Sequence, residues 1–346
     1  MAGFTAKLHL PFARWPEADK ALWQHAVEPG DPFSMGVGAR LAPASRQRYF
    51  MGWRRFLGFL AISEPEALEN LPHDRLCPER IRRFAKHLAE TCSPGSVATG
   101  VEAAYNAARV MMPGIDFVWL KAMKTRLLAA VPPRSETRPA ITSLQILKLG
   151  QQLMDEIRPK LGTKLRLADA VQYRDGLMIS LTAFAPVRRK NLAALDSIRH
   201  LPLGDAEYTV LIPRAETKTG IAVEFEIPPL LLPYLCEYRD FVRPRINFDI
   251  GCTALWVSPK GGALSYAAIG GIFARHSARR LGIHLSPHDV RAAAATTWGV
   301  FSPEQIKVAQ ELLAHRDIRT TTAHYNRARG IQASRAYLKV LGKIRG

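Results

Sequence analysis

Apolar residues recur at helical spacing through the first third of the chain. Tyr49, Trp53, Phe56, Leu57 and Leu60 share one helix face, and Ile81, Phe84 and Leu88 share another after Pro78, a residue suited to a first helical turn. Val97, Val101, Tyr105 and Ala108 form a third stripe behind Ser93 and Ser96, both good caps, and Asp116 is placed to cap a fourth helix carrying Leu120, Met123 and Leu127. Upstream, Ala21 to Val27 reads as a short helical patch and Pro29 to Pro43 as a connector.

The texture changes after Val131 to Pro139, a stretch with three prolines and no apolar period, which reads as a domain boundary. Beyond it, helical patterns run from Ser143 to Ile157 and from Leu165 to Ala185. Tyr208, Val210 and Ile212 alternate, as do Val223, Phe225 and Ile227 with Glu224 and Glu226 between them. Two such runs around a turn at Thr217 to Gly220 predict a β-hairpin. Ala254 to Val257 is a further strand candidate before a Gly261-Gly262 turn, and from Ser265 the pattern is mostly helical. The expected fold class is mainly α with a small antiparallel sheet, an α+β second domain. The expected organisation is an N-terminal extension of unassigned role (1–40), a helical domain (41–130), a linker (131–140), a second domain (141–330) and a tail helix (331–346). Leu338, Leu341 and Ile344 make an apolar stripe on that tail beside Lys339 and Lys343.

Charge changes the picture more than composition does. Among 346 residues, 48 Lys and Arg stand against 30 Asp and Glu, a formal net charge of +18. A fold needs no such excess, and its usual partner is a phosphate backbone. Arg54, Arg55, Arg82, Arg83, Lys86, Lys121 and Lys124 fall between the apolar positions of the first helices. They read as a solvated basic face or as a surface that grips DNA phosphates. No apolar run has membrane-spanning length; the longest, Ile227 to Leu235, is broken by Pro228, Pro229 and Pro233, so no membrane partner is expected. The start of the chain lacks a secretory signal pattern. The four cysteines, Cys77, Cys92, Cys236 and Cys252, form no CxxC and suggest neither a zinc site nor a disulfide framework, and there is no phosphate-binding Gly-rich loop. A cytoplasmic, nucleoid-associated protein with reduced cysteines is the expectation.

Candidate chemistry sits at the edges of these elements. Arg188 follows a buried-looking helix, Lys218 occupies the hairpin turn, and His288 and Arg291 open a helix in Ser286-Pro-His-Asp-Val-Arg291. His315 lies in Leu312-Leu-Ala-His-Arg, and Tyr325 follows it. Singly, each is more simply a solvated, capping or packed residue. Together they suit transfer of a DNA phosphodiester onto protein. That reaction needs cations on the non-bridging oxygens, an acid for the leaving oxygen and an in-line nucleophile.

The ordered series Arg188, Lys218, His288-x-x-Arg291, His315 and Tyr325 resembles the tyrosine recombinase (phage integrase) family over about residues 45 to 346. Ala254 to Ser265 also looks like the family's strand and turn before the HxxR helix. The resemblance implies a two-domain C-shaped DNA clamp with a core-binding and a catalytic domain. It implies Arg188, Arg291 and His315 on the scissile phosphate, Lys218 on a mobile hairpin tip protonating the departing 5′ oxygen, and His288 assisting proton transfer from Tyr325, the nucleophile. A 3′-phosphotyrosyl link stores the phosphodiester energy, so neither ATP nor a metal cofactor is required. It further implies a site-specific recombinase, an integrase or transposase of a mobile element. Such an enzyme works as a tetramer on paired double-stranded DNA sites, with accessory DNA-bending or partner recombinase proteins possible. A type IB topoisomerase-like nicking and resealing enzyme, or a DNA-binding protein without catalysis, are the alternatives. Three positions depart from the family pattern. Asn191 stands where an acidic residue is usual and Ala292 where a second histidine is common. Tyr325 lies ten positions after His315, one more than the commonest spacing, which puts His324 at the usual place.

Overall fold

The computed structural model describes residues 9–31, 33–131, 141–162, 165–201, 209–247, 249 and 251–301. The chain divides into two compact units, residues 1–138 and 139–346.

In the first unit the helices are α1 (Glu17–Val27), α2 (Pro43–Ser63), α3 (Pro78–Ala89), α4 (Pro94–Met111) and α5 (Val118–Ala129). Prolines start α2, α3 and α4, where a missing N–H costs nothing, and the Ser93 hydroxyl accepts from the Ser96 amide to cap α4. The fourth predicted helix begins one residue later than its expected cap allows. Phe117 is the cap residue of α5, and Asp116 instead accepts from the Val118 amide at 2.8 Å, closing a turn that leads into the helix. The apolar stripes meet in one core of Trp53, Phe56, Leu60, Ile81, Phe84, Val101 and Leu120. Gly52 lets α2 approach α4 closely, because a Cβ there would run into Ala103.

The segment before α2 belongs to this core. Trp15 and Trp23 are buried, and Trp15 stacks on Phe50 with ring centroids 5.1 Å apart. Asp19 of α1 is fully buried, accepts from the Trp53 indole at 2.8 Å and forms an ion pair with buried Arg75. Arg75 also donates to the carbonyls of Ala67, Leu68 and Asn70, so the turn between α2 and α3 closes around a neutralised charge.

The second unit contains α6 (Ser143–Asp155), α7 (Leu167–Phe184), α8 (Arg189–Ala193), β1 (Thr209–Ile212), β2 (Val223–Glu226), α9 (Leu232–Glu237), α10 (Arg243–Ile246), α11 (Tyr266–Leu281) and α12 (Pro287–Phe301). The hairpin is antiparallel, with Val210 opposite Phe225 and Ile212 opposite Val223. Val210 and Ile212 point into the core, while Glu224 and Glu226 face solvent. The fold is therefore mainly α with a small two-stranded antiparallel sheet. Ala254 to Val257 is not a strand. It makes two isolated bridges, Asp196 to Ala254 and Val257 to Ala263, because the Gly261-Gly262 turn at positive φ folds it back at once. Asp175 of α7 is fully buried and is held by Arg174 at 2.6 Å, Arg275 at 2.9 Å and His276 at 3.0 Å, which ties α7 to α11.

Helices α6 and α7 make the most intimate packing of this unit. Gly150 and Gly176 face each other, and a Cβ at Gly176 would lie 2.6 Å from the Gly150 carbonyl oxygen. Backbone cannot yield as a side-chain tip can. Gly176→Ala is therefore expected to destabilise the protein by about 1–3 kcal/mol through overpacking, read by chemical denaturation. An unchanged midpoint would show that the helices separate freely.

Candidate active site and nucleic-acid surface

The α7–α8 turn is built by proline. Pro186 disfavours helix at Ala185, α7 ends at Phe184, and Arg188 becomes the extended cap residue of α8, its carbonyl accepting from the Leu192 amide at 2.9 Å. The start of α12 is equally determined. The Ser286 amide and hydroxyl both donate to the Asp289 carboxylate at 2.7 Å, with Pro287 in the first turn. This fixes His288, which is exposed, and Arg291, which is buried, one turn apart on α12.

Arg291 reaches across and donates from Nη1 to the Pro186 carbonyl, so the second predicted arginine docks on the turn that carries the first. Burial pushes the pKa of Arg188 down. Burial, and then the like charge of Arg188, bring Arg291 down to about 10. Two guanidinium groups thus share a partly desolvated place, an arrangement that an incoming oxyanion relieves. Arg189, the neighbour of Arg188, takes a different direction. Its guanidinium stacks on the Tyr266 ring, 3.8 Å from the centroid.

Lys218 is exposed in the β1–β2 turn. The turn comes to α8 through Asn191, whose buried side chain donates to the Glu216 carbonyl at 3.3 Å. Arg188, Lys218 and Arg291 are therefore linked through α8, the turn and the Pro186 carbonyl. Sequence reasoning noted Asn191 only as a departure from a pattern; its buried hydrogen bond had no signal in the chain. His315, Tyr325 and the tail 331–346 lie outside the described residues. Among the described residues, no cluster of three or more His, Cys, Asp or Glu side chains is placed to hold a metal, and no helix is long and apolar enough to cross a membrane.

In the first unit a cleft of about 830 Å³ lies between α2 and the start of α4, lined by His9, Arg48, Arg55, Ser93, Ser96 and Thr99 among others. Cations and a helix N-terminus both favour anions. Part of the basic surface is neutralised: Arg48 of the cleft pairs with Glu102, which Lys124 also meets at 3.3 Å, Arg83 pairs with Glu64 at 2.8 Å and Arg82 with Glu79 at 3.2 Å.

No family model matches the chain. The chain is 29% identical over 184 residues to the tyrosine recombinase XerC of Actinobacillus succinogenes, a match covering 52% of this chain and 59% of that protein. The chain thus spans about three fifths of the length of that curated relative. Its fold is similar to that of the XerH site-specific recombinase bound to a palindromic difH substrate in a post-cleavage complex. That match has a TM-score of 0.57 at 13% identity and covers 92% of this chain and 95% of that one. It is similar also to the lambda integrase in a dimer bound to a COC′ core site, with a TM-score of 0.50 at 14% identity, covering 94% and 79%.

An anion seated between the two arginines should stabilise the fold. With sulfate at ten times its dissociation constant and ionic strength held fixed, the wild type should gain about 1.4 kcal/mol over Arg188→Ala, read as the difference in melting-temperature shift. Equal shifts in both proteins would show that the pair holds no anion.

Proposed function

We propose that the chain is a tyrosine recombinase, one that cuts and rejoins double-stranded DNA at specific sites through a 3′-phosphotyrosyl intermediate. The observation that carries this reading is the Arg188–Arg291 pair: a buried guanidinium docked on the Pro186 carbonyl close enough to half-buried Arg188 to feel its like charge.

In this reading Arg188 and Arg291 fork onto the non-bridging oxygens of the scissile phosphate, aided by His315. The Tyr325 hydroxyl attacks phosphorus and gives up its proton with the help of His288. The P–O bond to the 5′ oxygen breaks, and Lys218 supplies that oxygen's proton, leaving a free 5′ hydroxyl. The 5′ hydroxyl of a second strand then attacks the phosphotyrosine and releases the tyrosine. The phosphodiester energy is conserved, so the step uses no nucleotide and no metal. Exchange of partners calls for a tetramer on paired sites, with the 331–346 segment linking protomers and accessory DNA-bending or partner recombinase proteins assisting. Integration or transposition of a mobile element, in the cytoplasm at the nucleoid, is the setting that fits. The cleft between α2 and α4 supports a phosphate-gripping role for the first unit.

The nucleophile is tested with a nicked suicide substrate on a denaturing gel. Tyr325→Phe removes one hydroxyl and should lose all covalent adduct while DNA affinity stays at the wild-type value. If His324→Ala abolishes the adduct and Tyr325→Phe does not, the nucleophile is misassigned.

A further inference from the structure

Lys218 is exposed, yet the residues on either side of it are anchored. Before it, the Glu216 carbonyl accepts from the buried Asn191 carboxamide at 3.3 Å. The Glu216 carboxylate faces Arg199 Nη1 at 3.1 Å and His200 Nε2 at 3.2 Å. His200 is itself buried, and its Nδ1 accepts from the Asp196 amide at 3.0 Å, which leaves the ring proton on the nitrogen that faces Glu216. Next to the lysine, the Thr217 hydroxyl lies 2.8 Å from the Ile221 carbonyl and 3.1 Å from the Arg214 carbonyl, across the turn. After it, Thr219 is buried. A loop that only connected two strands would need none of these ties.

We propose that Asn191 is a positioning residue for Lys218: its carboxamide, acting through the Glu216 carbonyl, fixes the lysine turn to the helix that begins at Arg188. The general acid and one phosphate-binding guanidinium then move as one body, and the acid is preorganised against the leaving oxygen. The inference rests on the reading of Lys218 as the acid. It also explains the side chain found at this position. A carbonyl oxygen needs a donor, and a carboxylate has none. Where related chains carry an acidic residue, this one requires the amide. Arg199 donates to the carboxylate of the same Glu216, so both main chain and side chain of that residue are restrained.

The chemistry of the leaving group separates positioning of the acid from other effects. An alkoxide needs a proton as it departs and a thiolate does not. Single-turnover adduct formation is measured on an ordinary suicide substrate and on one with a 5′-bridging phosphorothiolate. The proteins are the full-length wild type, Lys218→Ala, Asn191→Ala and Asn191→Asp, with DNA affinity as the check on folding. Asn191→Ala and Asn191→Asp should both slow the ordinary cleavage by about 10–100-fold, the scale of a misplaced catalytic group. Both should return close to the wild-type rate on the sulfur substrate, as Lys218→Ala does. Arg199→Ala, a change at an exposed side chain, should give the same pattern in weaker form and serves if the Asn191 variants do not bind DNA. Rescue of Lys218→Ala without rescue of the Asn191 variants, or an Asn191→Asp variant as fast as wild type, would overturn the proposal. Failure of sulfur to rescue Lys218→Ala would remove the acid assignment and this inference with it. No adduct from the wild type would instead remove the recombinase reading.

Discussion

Two positive charges are held together inside the second unit, and much of its architecture follows from that. Arg291 docks on the Pro186 carbonyl beside Arg188, and its pKa falls to about 10 because it is buried and because Arg188 repels it. A fold left to its own stability separates such charges. Here the surrounding elements prevent separation. The proline turn after α7 fixes Arg188, the Ser286–Asp289 capping box fixes the first turn of α12, and the glycine contact between α6 and α7 holds the helix that leads into the turn.

Elsewhere the protein treats buried charge differently. Asp175 is surrounded by Arg174, Arg275 and His276, and Asp19 is matched by Arg75. These groups neutralise one another and tie distant elements: α7 to α11 in one unit, α1 to the α2–α3 turn in the other. They are structural solutions, in which the opposite charge is supplied by the chain. At Arg188 and Arg291 the charge that Arg291 feels has the same sign as its own. Perturbed groups of that kind are candidates for a functional site.

Much of the fold was legible in the sequence because it is written in local signals. The stripes at Trp53 to Leu60 and Ile81 to Leu88 bury as their spacing demands, Pro78 starts its helix, and Ser93 caps the next. The hairpin follows from the alternation at Val210, Ile212, Val223 and Phe225. What was not legible depends on partners far along the chain. The segment around Asp19 looked like an unassigned extension because its buried partner, Arg75, is 56 positions away. Asn191 looked like a deviation because its acceptor is the backbone of Glu216, which no side-chain pattern reveals. Ala254 to Val257 has strand-like composition, but strand formation needs a paired neighbour along its length, and the chain offers single bridges only. Arg188, Lys218, His288 and Arg291 were each expected from sequence; what the sequence did not contain is how the backbone links the elements that carry them.

The account stands on the claim that the arginine pair neutralises a phosphate, and the charge of that phosphate can be changed without touching the protein. A methylphosphonate at the scissile position replaces one charged non-bridging oxygen by a methyl group. Arg291→Ala should form no covalent adduct on an ordinary phosphodiester and should regain adduct formation on the methylphosphonate, where less charge must be offset. If the wild type cleaves the methylphosphonate while Arg291→Ala stays inactive on both substrates, Arg291 serves to hold the Pro186 turn and not to neutralise the phosphate, and the electrostatic account is wrong.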